Sequence, residues 1–524
     1  TSLLQGQLYI PAGNYQISKT IRLKPNILIH GDGMSKTKII ANTKASLFNI
    51  FEASPSNCDH IIFMDLSIAH DMPANTNNEN IGNGVFLGSS NTPVIGCKFI
   101  RCGFFNSCSY GLKISSQTDV RDPSSLIESD ITIRDCHFKG CKLSNLLIKG
   151  VAKVVVEHNT ITNAANYGAI ISLASYASIL NNQFNDNGKD GLVCTYISDA
   201  SIQANQCNNN GEWGIAMGGG SNISVPNFSY SVMENKCHNN LFGGITNDPT
   251  VSNVKFPQNV NVTLIGNICS GSKTFHGIYF HNVRYFTCGY NICFDNKNSG
   301  IAFDGQYGIV SNNQSYNNKK YGLAIFVPAF ADSALSSRYG FLSVLSNLTF
   351  NNDSSNVYFG TNSNKLLGLN VEISGEDSPE GKISAPAGVQ YVRINNNERS
   401  LFVKTTNSGK NGWQQISNNQ ELIDKHADNL SGNNTRLFVN TVTAKNFSIT
   451  AEDIVFLNHE GENTSVSLPS ASNNKGRIIW IKNLNKSYSV QIIGLADGEI
   501  SIIKGRESFQ ISSDGKAWYL ISKL

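Results

Sequence analysis

Charge is scarce in this chain. Of its 524 residues only 15% are Asp, Glu, Lys or Arg, and the formal net charge is +3. A balance so close to zero leaves no basic footprint for nucleic acid. No apolar run approaches the ~18 residues that cross a membrane, and apolar residues at the 3.6 spacing of amphipathic helices are missing. The Gly-rich stretch at 31–38 (GDGMSKTK) lacks the terminal Gly-Lys-Ser/Thr of a phosphate-binding loop. The 12 cysteines include no Cys-x-x-Cys pair, which argues against a zinc site or a disulfide frame and for small buried hydrophobes. They fit maturation in a reducing cytoplasm. The chain opens at Thr1 without Met or a signal peptide, which reads as a piece trimmed from a longer protein.

One phrase is present many times. An Asn, a few small and polar residues, and then a Gly that opens a short apolar strand recur as Asn159–Gly168, Asn182–Gly191, Asn205–Gly214 and Asn235–Gly244. Asn267–Gly277, Asn291–Gly300 and Asn313–Gly322 continue the series. The Asn-to-Gly offset is 9 in six instances (168−159, for example) and 10 once (277−267), and successive glycines lie 23, 23, 30, 33, 23 and 22 residues apart. A fixed period of this size means one unit stacked on itself. The apolar residues alternate with period two, and no Leu-dominated consensus marks a leucine-rich repeat. The expected fold is therefore all-β, a parallel β-helix, with Leu192, Ile215, Ile245, Ile278, Ile301 and Leu323 pointing into the bore. Stacked Asn amides are expected to bond along the axis. Glycine is expected at a sharp corner that needs positive φ. Cys207, Cys237, Cys269 and Cys293, each two residues after a repeat Asn, are expected to stack inside.

Three segments follow from texture: a β-helix over 1–372, a small β module over 373–418, and a C-terminal β-sandwich over 419–524 that alternates throughout. The phrases IPAGNY (10–15) and IHGDG (29–33) resemble the entry of pectate-lyase-like right-handed β-helices. The run from Ser378-Pro379-Glu380-Gly381 to Gly412-Trp413 resembles a segment found after the β-helix in bacteriophage tail proteins, and 437–524 is similar to the C-terminal domains of tailspikes. What the resemblance implies is a homotrimeric tailspike depolymerase on the virion. It would bind and cleave a capsular or O-antigen polysaccharide at the bacterial surface, attached to the phage tail baseplate through an N-terminal segment missing here. Membrane insertion and nucleic-acid binding are not expected.

Irregular coils locate the chemistry. Extra residues at 115–130, 218–229, 248–261 and 327–339 all follow the strand that the repeat Gly opens, so they wall a groove on one side. The fourth residues after each Gly are Ser172, Thr195, Gly218, Asp248, His281, Asp304 and Phe326. Asp248, His281 and Asp304 thus form a line. Two rungs at ~4.8 Å set the backbones of the outer pair roughly 9–10 Å apart, and carboxyl separations of about 6.5–9.5 Å suit inverting glycoside hydrolysis. One Asp would protonate the glycosidic oxygen, the other would activate water, and His281 would orient a carboxylate or bind sugar. Glu212 and Asp190 flank the corner before the strand and reach the groove from the other side. Tyr196, Trp213 and Tyr279 are candidates for stacking on sugar rings, and Trp213 serves equally as a turn anchor. Asp122, Glu128, Asp130 and Asp332 lie on the insertions.

Two other readings stand beside hydrolysis. A polysaccharide lyase on the same scaffold would use His281 with Tyr279 and Arg284, with calcium held through Asp248 and Asp304; the hydrolase needs no cofactor. A non-catalytic receptor-binding spike is the third. Unsaturated uronate products, which absorb in the ultraviolet, separate the first two.

Overall fold

The computed structural model describes the chain except residues 1–5, 43–46, 54–57, 72–77, 89–92, 118, 121, 219–227, 248–257, 327–340, 361–367, 376–377, 396–397, 407–408, 417–438, 443–445, 451–453, 458–463, 475–476, 486–487, 497–501, 505–506, 514–515 and 524. The chain forms two compact units, Thr1–Asn418 and Asn419–Leu524.

The first unit is a parallel β-helix, as the repeat requires. Each coil lays one strand on the same strand of the next coil, all in parallel register. The first residues after the repeat glycines run Ala169, Leu192, Ile215, Ile245, Ile278, Ile301 and Leu323 in one column. All of them are buried in one continuous core. The second residues form a parallel column on the outer face: Leu147, Ile170, Val193, Ala216, Thr246, Tyr279, Ala302 and Ala324. Period-two alternation thus sorts the two faces. Near the N-terminal end the bore is filled by aromatic rings, with Phe104 and Phe138 stacked 4.6 Å apart and Phe63 and Phe99 at 5.5 Å. Such pairs contribute about 0.5–1.5 kcal/mol each beyond their burial.

The corner asparagines bond along the axis. In Asn159, Asn182, Asn205, Asn235, Asn267, Asn291 and Asn313, both the backbone N–H and Nδ2 donate to Oδ1 of the next asparagine. The ladder ends on Asn347 and every one of these distances is 2.9–3.0 Å. The second amide hydrogen reaches a carbonyl of the preceding coil, as from Asn182 to Val156 and from Asn205 to Ile179. A second ladder runs one corner later, through Asn187, Asn210 and Asn240 and again through Asn296, Asn318 and Asn352. Buried amides with every bond made lock the coil register, because an unmet one would be costly.

The repeat glycine has a different reason from the expected one. Positive φ falls on the residue before each ladder asparagine, at His158, Asn181, Ala204, Glu234, Gly266, Tyr290, Asn312 and Ser346, and the repeat glycines are not among the positive-φ residues. What forces glycine is the neighbouring coil. A Cβ on Gly191 would lie 2.8 Å from the Gly214 carbonyl oxygen, and one on Gly244 2.5 Å from that of Gly277. The column is glycine because adjacent coils approach too closely for a side chain.

All twelve cysteines are free and buried. Cys237, Cys269 and Cys293 are register partners in the bore, and burial pushes the Cys207 and Cys269 thiols well above their ordinary range. The helix passes into the small β module when strand Gly368–Gly375 pairs in parallel with Gln390–Asn395. Two antiparallel pairings then carry the sheet through Glu398–Lys404 to Trp413–Ile416, and Tyr391, Phe402 and Trp413 join the same core.

The second unit has two sheets over one core that includes Val455, Val466, Ile481, Ile492, Phe509 and Trp518. Its strands do not pair as an antiparallel sandwich throughout. Val439–Val442, Ile454–Leu457 and Ile478–Asn483 pair in parallel in one sheet, and Asn446–Ser448, Thr464–Ser467 and Val490–Ile493 in the other. The chain changes sheet at every one of these strands, a second short winding closed by antiparallel pairs at its end. Period-two alternation is the same in parallel and antiparallel strands, so the sequence does not distinguish them.

Candidate functional site

A cleft of about 300 Å³ opens on the outer face of the β-helix, over the coils of Gly168 to Gly277. Its floor is the outer column Val193, Ala216, Thr246 and Tyr279, with Met217 and Thr195 at the edge. One wall comes from the two residues that precede the repeat glycines: Tyr167, Asp190, Glu212, Trp213, Phe242 and Phe275. Stacked coils place residues far apart in sequence at one corner, so the wall is assembled by the repeat itself.

Trp213 is held from several sides. Its backbone N–H donates to Asp190 Oδ1 at 2.7 Å, and its indole lies 6.3 Å from Phe275, near-parallel at 16°. Its register partner on the next coil is Gly243. A Cβ there would come within 2.2 Å of Trp213 Cζ3 and 2.3 Å of the His276 carbonyl oxygen. The missing side chain is the space in which the indole lies. Phe242 meets Phe275 edge-on at 5.6 Å, and His276 stacks on Tyr279 at 5.0 Å.

Two acids stand at this wall. Asp190 is 7% exposed and its oxygen is fixed by the Trp213 N–H. Glu212 is half-buried, with Oε1 3.9 Å from Lys189 Nζ. Lys189 also lies over the Tyr167 ring, 5.3 Å from its centroid, and the Tyr167 phenol and Glu212 carboxylate raise its pKa. Burial, reinforced by Lys320, pushes the His276 pKa down to about 4. The ring is therefore neutral at ordinary pH, and its Nδ1 accepts the Ser299 N–H at 3.3 Å.

The structure brings Glu212, Trp213 and Tyr279 together here, with Asp190. Tyr196 is elsewhere, at a corner with φ 55, leaning on the core. Asp248 lies outside the described residues, as does Asp332, and of His281, Arg284 and Asp304 only the backbone is described. Asp304 pairs with Phe326. Opposite it the register slips between Phe280 and Val283, so that His281 and Asn282 together face Asp304. This slip is a bulge, a feature common beside active sites. On the first insertion, the Asp122 side chain caps a short 3-10 turn by accepting from Ser124. Among the described residues no three His, Cys, Asp or Glu side chains cluster as metal ligands. The calcium expectation concerns Asp248 and Asp304, outside that set. Phe242, Phe275 and His276 were not singled out from the sequence. Aligning the two residues before each glycine, rather than only the fourth after it, would have found all three.

Residues 83–260 match the family model of the right handed beta helix region. No curated protein matches the chain by sequence. Among solved structures, the mannuronan C-5 epimerase AlgE6 A-module of Azotobacter vinelandii is 16% identical and superposes with a TM-score of 0.46, over 70% of this chain and 89% of that one. The catalytic unit of the GH87 α-1,3-glucanase of Streptomyces thermodiastaticus is 13% identical, with a TM-score of 0.44 over 67% and 64%. The Dettilon tailspike protein is 12% identical, with a TM-score of 0.41 over 76% and 70%.

Proposed function

We propose that this chain is a polysaccharide depolymerase that binds an extended polymer along the outer face of the β-helix and hydrolyses it within the chain. The observation that carries the reading is the cleft, where two carboxylates, Asp190 and Glu212, stand beside an aromatic wall of Trp213, Phe242 and Phe275. Flat apolar rings suit the C–H faces of sugars, and paired carboxylates suit glycoside hydrolysis. Asp190, held in place by the Trp213 N–H, acts as nucleophile or base. Glu212, half-buried and able to turn from Lys189 toward a bound sugar, acts as general acid.

A second reading keeps the acids of the neighbouring column, Asp248 and Asp304 with His281, as the reacting groups. The bulge opposite Asp304 favours it. A lyase is less well supported at the cleft, because the acids there would repel the uronate that elimination needs. The module order resembles a tailspike, so we place the protein on a phage virion, as a homotrimer acting on a capsular or O-antigen polysaccharide.

The test is incubation with a panel of such polysaccharides. Hydrolysis predicts falling viscosity, new reducing ends and no ultraviolet-absorbing unsaturated uronate. An absorbing product would replace hydrolysis by elimination, and tight binding without cleavage would leave only a receptor-binding spike.

A further inference from the structure

We infer that the polysaccharide bound here carries methyl-bearing sugars, 6-deoxy or acetylated, and that their methyl groups lie on an aliphatic stripe running from the cleft toward the N-terminus. The inference deepens the reading of the cleft as a polysaccharide site and rests on it.

The stripe follows from the stacking of coils. On four consecutive coils the outward residue next to the first core residue of the strand is Leu147, Ile170, Val193 and Ala216, in one register column. Leu147, Ile170 and Val193 are half-buried, so the column is open at the surface. Ala216 is the smallest of the four, a low point between its register partners Val193 and Thr246. Three rungs separate the ends of the stripe, roughly 14 Å. One coil before Leu147 the column reaches Lys113, where the stripe ends. The Lys113 ammonium is tied down there, donating to Glu79 O at 3.0 Å and to Asn80 Oδ1 at 2.9 Å. Val193 and Ala216 also line the cleft. Stripe and cleft are therefore one surface, and a polymer extended along the outer face passes over both.

An aliphatic side chain offers neither donor nor acceptor, and the backbone beneath is taken up by the bonds of the sheet. Sugar hydroxyls turned onto the stripe would give up water and find no replacement. A methyl group in the same place only displaces that water, which is favourable. The flat C–H face of a fully hydroxylated hexose suits the flat rings of the wall. A row of separate side chains with a dip at Ala216 suits a protruding apolar group instead. The C6 methyl of a 6-deoxyhexose and the methyl of an acetyl group both protrude in this way. Hydroxyls on the other edge of the same sugar are left to face Asp190 and Glu212, which accept them.

The experiment uses the oligosaccharide released from the capsular or O-antigen polysaccharide that the protein cuts. Its NMR spectrum is expected to contain a 6-deoxy or acetyl methyl signal, and saturation transferred from the protein is expected to be strongest at that methyl. The two kinds of methyl resonate separately, so the same spectrum tells them apart. Val193→Thr exchanges a methyl for a hydroxyl at nearly constant volume and is expected to weaken binding at least about threefold. Ala216→Val fills the low point and is expected to weaken it at least about fivefold. A cut polymer without such sugars, methyl signals no more saturated than the ring protons, or unchanged binding in both variants overturns the inference and leaves the depolymerase reading standing. If Ile170→Thr splits an assembly of copies while oligosaccharide binding is unchanged, the stripe is an interface between chains and the inference is overturned. If no polysaccharide is bound or cut, the proposed function fails and the inference falls with it.

Discussion

Replacing Asn205 with Ala should break the corner ladder in the middle of the β-helix. The side chain is fully buried and makes four bonds. Its Oδ1 accepts from the N–H and from Nδ2 of Asn182 at 2.9 and 3.0 Å, and its Nδ2 donates to Ile179 O at 2.9 Å and to Asn235 Oδ1 at 3.0 Å. At about 1 kcal/mol net per bond, with two buried donors of Asn182 left unmet, the loss is about 3–5 kcal/mol after partial rescue by water. Asn181 is the control. It sits one residue from the ladder asparagine below, is exposed and has φ 55, so Asn181→Gly should stay within about 1 kcal/mol. Because coils contact only their neighbours, the damage should be local. Hydrogen exchange should show lost protection in the strands around 182, 205 and 235 and unchanged protection in strand Asp130–Arg134. Equal losses for the two variants, or deprotection spread evenly over the unit, would refute the idea that the amide ladder sets the register.

Three further outcomes follow from single features. Gly214→Ala puts a Cβ 2.8 Å from the Gly244 carbonyl oxygen and 2.9 Å from Asn240 Nδ2. It should cost about 2–4 kcal/mol, and a melting temperature equal to the parent's would show that close approach is not the reason for the glycine. His276, with its pKa pushed down to about 4 by burial, binds its proton more readily unfolded than folded. Stability should therefore fall by at most roughly 3 kcal/mol as pH drops from the unfolded value near 6.5 to 4, and denaturant titrations should show His276→Phe removing that slope. Trp213→Ala should weaken oligosaccharide binding by about 2 kcal/mol, about thirtyfold in Kd, with Trp213→Phe intermediate; calorimetry that finds Ala and Phe alike would remove the stacking role.

The repeat made the solenoid legible because one Asn and one Gly mark every coil, and alternation then assigns inside and outside. The reason for the glycine was not legible. Positive φ and close approach both select glycine, and only the neighbouring coil's carbonyl distinguishes them. The second amide ladder was within reach, since Asn187, Asn210 and Asn296 stand five residues after a repeat Asn. Trp213 and Glu212 were readable as groove residues because they adjoin the glycine. The aromatic wall was within reach too, since Phe242 and Phe275 stand two residues before a repeat Gly, as Glu212 does. Parallel winding of the second unit was hidden, since strand direction leaves no mark on an alternating pattern.

The measurement that bears most directly on the central claim compares the turnover of Asp190→Asn, Glu212→Gln and Asp304→Asn on the polysaccharide the protein cuts, with oligosaccharide binding as the control. Asp190→Asn keeps an oxygen to accept the Trp213 N–H, so the local fold survives the change. The account predicts that the first two each lose at least about 100-fold in kcat with binding within about threefold, while Asp304→Asn stays within tenfold of the parent. Near-normal turnover in both cleft variants, with Asp304→Asn inactive, would contradict it and move the chemistry to the neighbouring column.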